Sequence, residues 1–309
     1  MRERFLRGVT LFELIAVLAI IGALLSLLLN GVLAVRESAR LAQCSNNVRQ
    51  IALATANFVT NHGHFPGNGW GYAWVGQLDR GVGPQQPGGW AFQILPFAEI
   101  QLLGIEEESD QVRASWMQQE FSLFRCPNRP AGLGPHTDAF ITRNARPVQR
   151  TYKTDYAICE GDFITDTREG PQTLAEGDNP SYRWRQLEAT GISFQRSRIR
   201  PAEIRDGLSV TYVLGEKHVD RSAYDTLDDL GYDQSLLAGV DLDLNRWVIN
   251  RPLRDSQRGS SREFGSAHSS GWNVAFCDAS VRRLTFHIDP IVHARLGNRR
   301  DGLTVSIPE

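Results

Sequence analysis

The chain has 309 residues, 41% hydrophobic and 22% charged, so it can bury a sizeable core in one or two domains. Its formal net charge is −2, and it has no basic helix and no basic-aromatic interleaving, so nucleic acid is not an expected partner. Its four cysteines, Cys44, Cys126, Cys159 and Cys277, lie 82, 33 and 118 residues apart. No CxxC or Cys/His cluster marks a zinc site, and no metal ligand is assigned. In an exported chain the four can pair as two disulfides in three connectivities, or remain buried thiols.

The N-terminus carries most of the functional signal. Residues 1–8 form a short basic segment with Arg2, Arg4 and Arg7, ending at Gly8. Sixteen uncharged residues run from Leu14 to Leu29. Extended to residues 9–35, the stretch matches the roughly 20 residues a helix needs to cross a bilayer. Only a helix satisfies the backbone of a single spanning segment. The arginine flank stays cytoplasmic, so the rest of the chain lies outside. Glu13 stands out, because a carboxylate at the centre of a membrane helix costs roughly 2.5–3.5 kcal/mol, and less toward the ends. Cleavage after Gly8 would place a new amino terminus on Val9, four residues from Glu13 and on the same helix face. The helix dipole in the first turn adds to that compensation. A neighbouring subunit's amino terminus would serve equally, giving assembly a register device. A conventional secretory signal would instead be cut beyond the apolar run, near Val32-Leu33-Ala34. Glu13 inside the run, and a helical pattern that continues through that site, argue against it.

Gly8-Val9-Thr10-Leu11-Phe12-Glu13 ahead of an apolar run resembles the class III signal of type IV pilins and type II secretion pseudopilins. The resemblance implies a prepilin peptidase that cuts after Gly8 and methylates the new N-terminus. Val9 stands where the family usually has Phe.

Beyond the apolar run, Leu41, Cys44, Val48, Ile51, Thr55, Phe58 and His62 follow helical spacings and mark one buried face. Arg40, Asn46, Asn47, Arg49 and Gln50 fall elsewhere. The pattern predicts one helix from about Thr10 to His62, capped by Gly63, with 36–62 an amphipathic continuation of the membrane segment. Gly22 and Asn30-Gly31 are weak points in it, or small residues for close helix packing. Residues 63–309 read as a globular head. Trp90 to Pro96 and Phe121 to Pro127 are short elements ended by proline. Residues 160–190 read as a surface loop, and Thr211 to Glu216 as a strand. Trp272–Asp278 and Ser280–Leu284 form a hairpin turning at Asp278-Ala279. Short strands after a long helix predict an α+β fold, pilin-like, with the helix packed on an antiparallel sheet. The tryptophans are expected in the core.

Several head motifs narrow the resemblance. Cys44 to Ile51, Gly63-His64-Phe65-Pro66, Trp90 to Pro96, Phe124-Arg125-Cys126-Pro127 and Asp206 to Thr211 are similar to the DUF1559 family of planctomycete pseudopilin-like proteins. His268 followed by Asp278 resembles its C-terminal H-x9-DG motif, with Ala279 in place of glycine. That departure argues against a positive φ at 279.

His268 and Asp278 are the obvious catalytic pair, which Glu216 and His218 would join only through folding. No nucleophile elbow accompanies them, so the pair is read as a turn anchor and no enzyme is expected. Asp241, Asp243 and Asn245 begin like a calcium loop, but Arg246 and Pro252 occupy its glycine and glutamate positions; calcium is a weak match, and no other cofactor is expected. Asp225, Asp228, Asp229 and Asp233 read as a solvated acidic run. The expected function is a structural subunit of a type II secretion pseudopilus or type IV pilus-like filament. Its partners are the prepilin peptidase, the inner membrane, and further copies or other pseudopilins met through the N-terminal helix, with the head periplasmic or extracellular. The alternative is a monomeric tethered module whose head binds a glycan or cell-wall polymer.

Overall fold

The computed structural model describes residues 10–309 apart from 131, 138–140, 166–167, 185–188, 227–228, 304 and 308–309, and apart from the side chains of 27 and 30. Gly8 and Val9 lie outside the described residues. Thr10 opens the first helix. Its hydroxyl accepts from the Glu13 N–H at 3.3 Å, while the Glu13 carboxylate accepts from the Thr10 N–H and hydroxyl at 2.9 Å each. This reciprocal pair is a capping box. It gives Glu13 a local partner within its own helix turn, independent of any charge on Val9. Helix α1 then runs from Leu11 to His62 without interruption at Gly22 or Gly31. At 1.5 Å per residue its length is ~78 Å. It stops at Gly63, whose φ of 74° is the left-handed cap the sequence predicts. The Gly63 N–H donates to the Val59 carbonyl at 2.8 Å.

The chain divides into two compact units, Met1–Ala42 and Gln43–Glu309. In the first, large apolar side chains are exposed on every side of α1. Neighbours such as Leu24 and Leu25, Leu28 and Leu29, or Val32 and Leu33 point about 100° apart and are all exposed. This one helix is long and apolar enough to cross a membrane.

The second unit takes in the rest of α1. Cys44, Val48, Ile51, Thr55 and Phe58 are buried, as their spacing predicts, and Leu53 on the other face is exposed. Asn47 is buried too, contrary to its sequence placement, because its amide nitrogen donates to the Arg125 carbonyl at 2.8 Å. The helices that follow are short: α2 (Trp90–Ile94), which tightens into a 3-10 turn over Leu95–Ala98, α3 (Asp110–Gln118), α4 (Leu174–Asp178) and α5 (Pro290–Gly297). Ser109, Thr173 and Asp289 start α3, α4 and α5 by accepting from N–H groups of the first turn. The stretch read as a loop over 160–190 therefore contains α4.

The strands are β1 (Leu133–Pro135), β2 (Arg150–Tyr152), β3 (Tyr156–Gly161), β4 (Tyr212–Glu216), β5 (Asn245–Trp247), β6 (Leu253–Arg254), β7 (Gly265–Ser266), β8 (Trp272–Phe276) and β9 (Val281–Leu284). Five form the main sheet in the order β5-β3-β4-β8-β9. Its pairs are antiparallel, except that β5 runs parallel to β3. The sheet is thus mixed rather than purely antiparallel. β4 carries the chain back to the end of the sheet where β3 began, and the connection over residues 217–244 passes β3 at that end to set β5 on its outer side. Both edges are blunt: β5 has three residues, all buried, and β9 carries exposed Arg282 and Arg283.

The buried face of α1 packs with Trp90, Phe124, Ile158, Leu214 and Ala275 in the main core. Tyr212, Trp272 and Phe276 build a second cluster with Leu296 of α5. Six tryptophans, at 70, 74, 90, 116, 247 and 272, are buried, matching their expected core role. Trp184 is partly exposed, with the Arg196 guanidinium carbon 4.1 Å from its ring centre. At the β8–β9 turn Ala279 has φ 64°. The positive φ that the alanine argued against is present, held by Asp278, whose carboxylate accepts from the Ser280 N–H at 2.8 Å and hydroxyl at 2.6 Å.

Candidate functional site

The second unit gathers four buried side chains from four separate elements: Cys44, Cys126, Glu216 and His268. Each offers one donor atom, and all four atoms lie within 4.8 Å of one another. Cys44 comes from α1, one turn before Asn47, so both share a helix face. Asn47 grips the Arg125 carbonyl and so draws the loop bearing Cys126 onto that face. Pro127 holds the residue before it extended, and the Cys126 N–H donates to the Asp155 carboxylate at 2.6 Å. Asp155 also meets Arg129 at 3.1 Å and the Tyr232 hydroxyl at 2.7 Å, while Arg129 reaches Asp255 at 2.8 Å. The Cys126 loop is therefore wired into a buried ionic network. Glu216 ends β4, and one of its oxygens accepts from the Asn273 N–H at 2.6 Å. His268 follows β7, its N–H donating to the Ser266 hydroxyl at 3.1 Å and its Nδ1 meeting the Asn128 amide at 2.9 Å.

The Cys44 and Cys126 sulfurs are 2.9 Å apart. A disulfide bond is about 2.05 Å long, and all four cysteines are free thiols. His268 Nε2 lies 3.6 Å from the Cys126 sulfur and 4.0 Å from Glu216 Oε1. The hydrogen bond from the Cys44 thiol pushes Cys126 down to about 6, with His268 and Arg129 adding to it against burial; Cys44, as the donor, is pushed up. Burial, then the Cys126 charge, raises Glu216 to about 7. Glu216 Oε1 has no hydrogen-bond partner among the described residues.

The remaining candidates scatter. Asp278 is exposed and serves the β8–β9 turn, at the far end of β8 from His268, so the structure does not join the H-x9-D pair; the strand between them is ~13 Å long. His218 points elsewhere, its Nε2 2.8 Å from the Gln257 carbonyl. Cys159 contacts the Gly297 carbonyl at 3.7 Å, and burial pushes it up to about 12; burial also raises Cys277. Asp241 and Asp243 of the calcium-like stretch act, with Asp233, on the buried Lys153 ammonium. Asp243 accepts from the Asp233 and Gln234 N–H groups and lies 3.6 Å from Lys217, while Asn245 bonds Asn68 and Glu160. Asp233 is buried rather than solvated, and burial beside Asp243 raises it to about 8. Asp228 lies outside the described residues.

Linear spacing hides the four-residue site. Cys44 and Cys126 are 82 residues apart, and Cys126 and His268 are 142 apart. The usable sequence signal was that Cys44, Cys126 and His268 each sit in a recognisable motif.

The fold defines a class: an α+β head built on the second part of a long N-terminal helix whose first part is apolar all round. Within that class, the chain belongs to the DUF1559 family, described as a protein of unknown function, whose model matches residues 33–291. No curated protein and no solved structure matches the chain.

Proposed function

We propose that this chain is a non-enzymatic, membrane-anchored filament subunit of the pilin type. It is inserted with its N-terminus in the cytoplasm, trimmed by a prepilin peptidase between Gly8 and Val9, and methylated there. It joins a type II secretion pseudopilus or a type IV pilus-like filament through its N-terminal helix, with the head outside the inner membrane. The observation that carries this reading is the surface of α1 within Met1–Ala42. Its apolar side chains face outward around the whole circumference. Such a surface is at home only in lipid or against other helices of the same kind. The capping box supplies Glu13 with a partner before cleavage, and a new amino terminus on Val9 adds a second one afterwards.

Mass spectrometry of the membrane-extracted chain tests the processing step. A mature, methylated Val9 is expected; a start at Met1, or one beyond Ala34, overturns the reading. Chemical crosslinking in intact membranes is expected to give a ladder of multimers, and a lone monomer band overturns the assembly step.

One observation favours the tethered binding module. Tyr182, Trp184 and Arg196 line a cleft of about 1080 Å³ on the head. Tyr182 and a guanidinium stacked on Trp184 give the cleft an aromatic wall and several N–H donors, groups that suit sugar hydroxyls. That reading predicts a monomer in detergent that is retained on immobilised polysaccharide, with retention lost in Trp184→Ala.

A further inference from the structure

We propose that Cys44, Cys126, His268 and Glu216 bind a structural zinc ion that fastens α1 to the head. The inference is independent of filament assembly and of membrane processing. Two thiolates, an imidazole and a carboxylate form a mixed soft and borderline donor set, which is zinc chemistry rather than that of calcium or magnesium.

The geometry is that of a first coordination shell. Zinc bonds of about 2.3 Å to sulfur and about 2.0–2.1 Å to nitrogen or oxygen set tetrahedral edges of roughly 3.3–3.8 Å. Three of the six edges are 2.9 Å between the sulfurs, 3.6 Å from Cys126 to His268 and 4.0 Å from His268 to Glu216, and all lie within 4.8 Å. A metal therefore requires the sulfurs to part and the imidazole and carboxylate to close by under about 1 Å each. Four protein donors close the shell, and all four residues are buried, as in structural rather than catalytic sites. On binding, the thiols lose their protons to solvent and the sulfurs move apart onto the metal. His268 binds through Nε2. Its other nitrogen is held by the Asn128 side chain, the outer-shell contact that sets the tautomer of a ligating histidine.

A Cys44–Cys126 disulfide is the rival use of the same sulfurs. It leaves Glu216 unexplained. That carboxylate is buried, its Oε2 is held by the Asn273 N–H, and its Oε1 faces the sulfurs and His268 with no hydrogen-bond partner among the described residues. A neutral S–S bond gives that oxygen nothing and leaves it only the His268 ring at 4.0 Å, beyond hydrogen-bond distance, and a buried carboxylate without a hydrogen bond on one oxygen is costly. A divalent cation compensates it directly. Because the ligands come from α1, the 125–129 loop, the end of β4 and the segment after β7, metal binding is folding energy for the head.

The test uses the full chain, extracted in detergent without chelator. Elemental analysis is expected to give about one zinc per chain. X-ray absorption is expected to show two sulfur neighbours at about 2.3 Å and two lighter ones at about 2.0–2.1 Å. Cobalt exchange should produce thiolate-to-metal charge transfer with tetrahedral d–d bands, and chelation should lower the melting temperature. Cys44→Ser and His268→Ala should reduce zinc to background, and Glu216→Gln, which removes a direct ligand, should weaken binding by at least the roughly tenfold that losing an outer-shell partner costs. Should the variants fail to fold, the absorption and cobalt spectra of the wild-type chain decide alone. Metal-free protein with Cys44 and Cys126 joined in peptide maps overturns the proposal, and so does bound zinc without sulfur neighbours.

Discussion

Glu160 to glutamine is expected to stabilise the protein above neutral pH. Glu160 lies on β3 and is buried, its two oxygens accepting from the Thr165 hydroxyl and the Asn245 amide. Among the described residues no cation bonds to it, and burial raises its carboxyl from 4.5 to about 7. The folded chain therefore holds a proton that the unfolded chain has released between those two values. Stability contributed by Glu160 is fully present below about pH 4.5 and falls as pH rises toward 7. At about 1.4 kcal/mol per pH unit, the loss is at most roughly 3 kcal/mol, complete above pH 7. Glutamine keeps the shape, keeps an oxygen for Asn245, and donates to Thr165 without titrating. Denaturant melts of both chains at pH 4 and pH 8 measure the difference, and subtracting them removes the slopes of other groups such as Asp233. The glutamine variant should gain about 1–3 kcal/mol relative to wild type on going from acid to alkaline pH. Equal pH slopes in the two chains, or a variant less stable at pH 8, would refute the reasoning.

Two further predictions concern packing and backbone strain. Phe58→Ala should cost about 3–5 kcal/mol because the ring is fully buried in the main core, while Leu53→Ala on the exposed face should stay within about 0.5 kcal/mol; equal melting temperatures for the two variants would show that this face of α1 does not seal the head. Ala279→Gly should raise stability by up to about 1 kcal/mol, since it relieves a left-handed alanine and gives back part of that gain in glycine's chain entropy. A loss of stability, read by thermal melting, counts against that account.

The helix and its cap were legible because its first part is one long apolar run, its second part repeats a three-four spacing from Leu41 to His62, and a glycine follows. The C-terminal hairpin was legible because β8 and β9 are adjacent in the chain. The parallel partner β5 was not, because three buried residues after an irregular connection carry no readable period. Thr10-x-x-Glu13 is itself a legible capping box, a hydroxyl residue three before a glutamate at the head of an apolar run. The four-ligand cluster could not be read from spacing at all. It exists only because Asn47 pulls the Cys126 loop onto α1 and because β4 delivers Glu216 to the level of His268. Asp278 anchors the β8–β9 turn as its position predicts, but it does so apart from His268: ten residues away in sequence, it lies a strand length from it.

The blunt edges of the main sheet have a consequence for crowding. A long exposed strand would let heads held side by side at high density zip together through backbone hydrogen bonds, in the manner of amyloid. The short, buried β5 offers no such template, and two arginines on β9 repel a second copy of themselves. Heads concentrated on one surface can therefore touch without polymerising by strand addition to the main sheet.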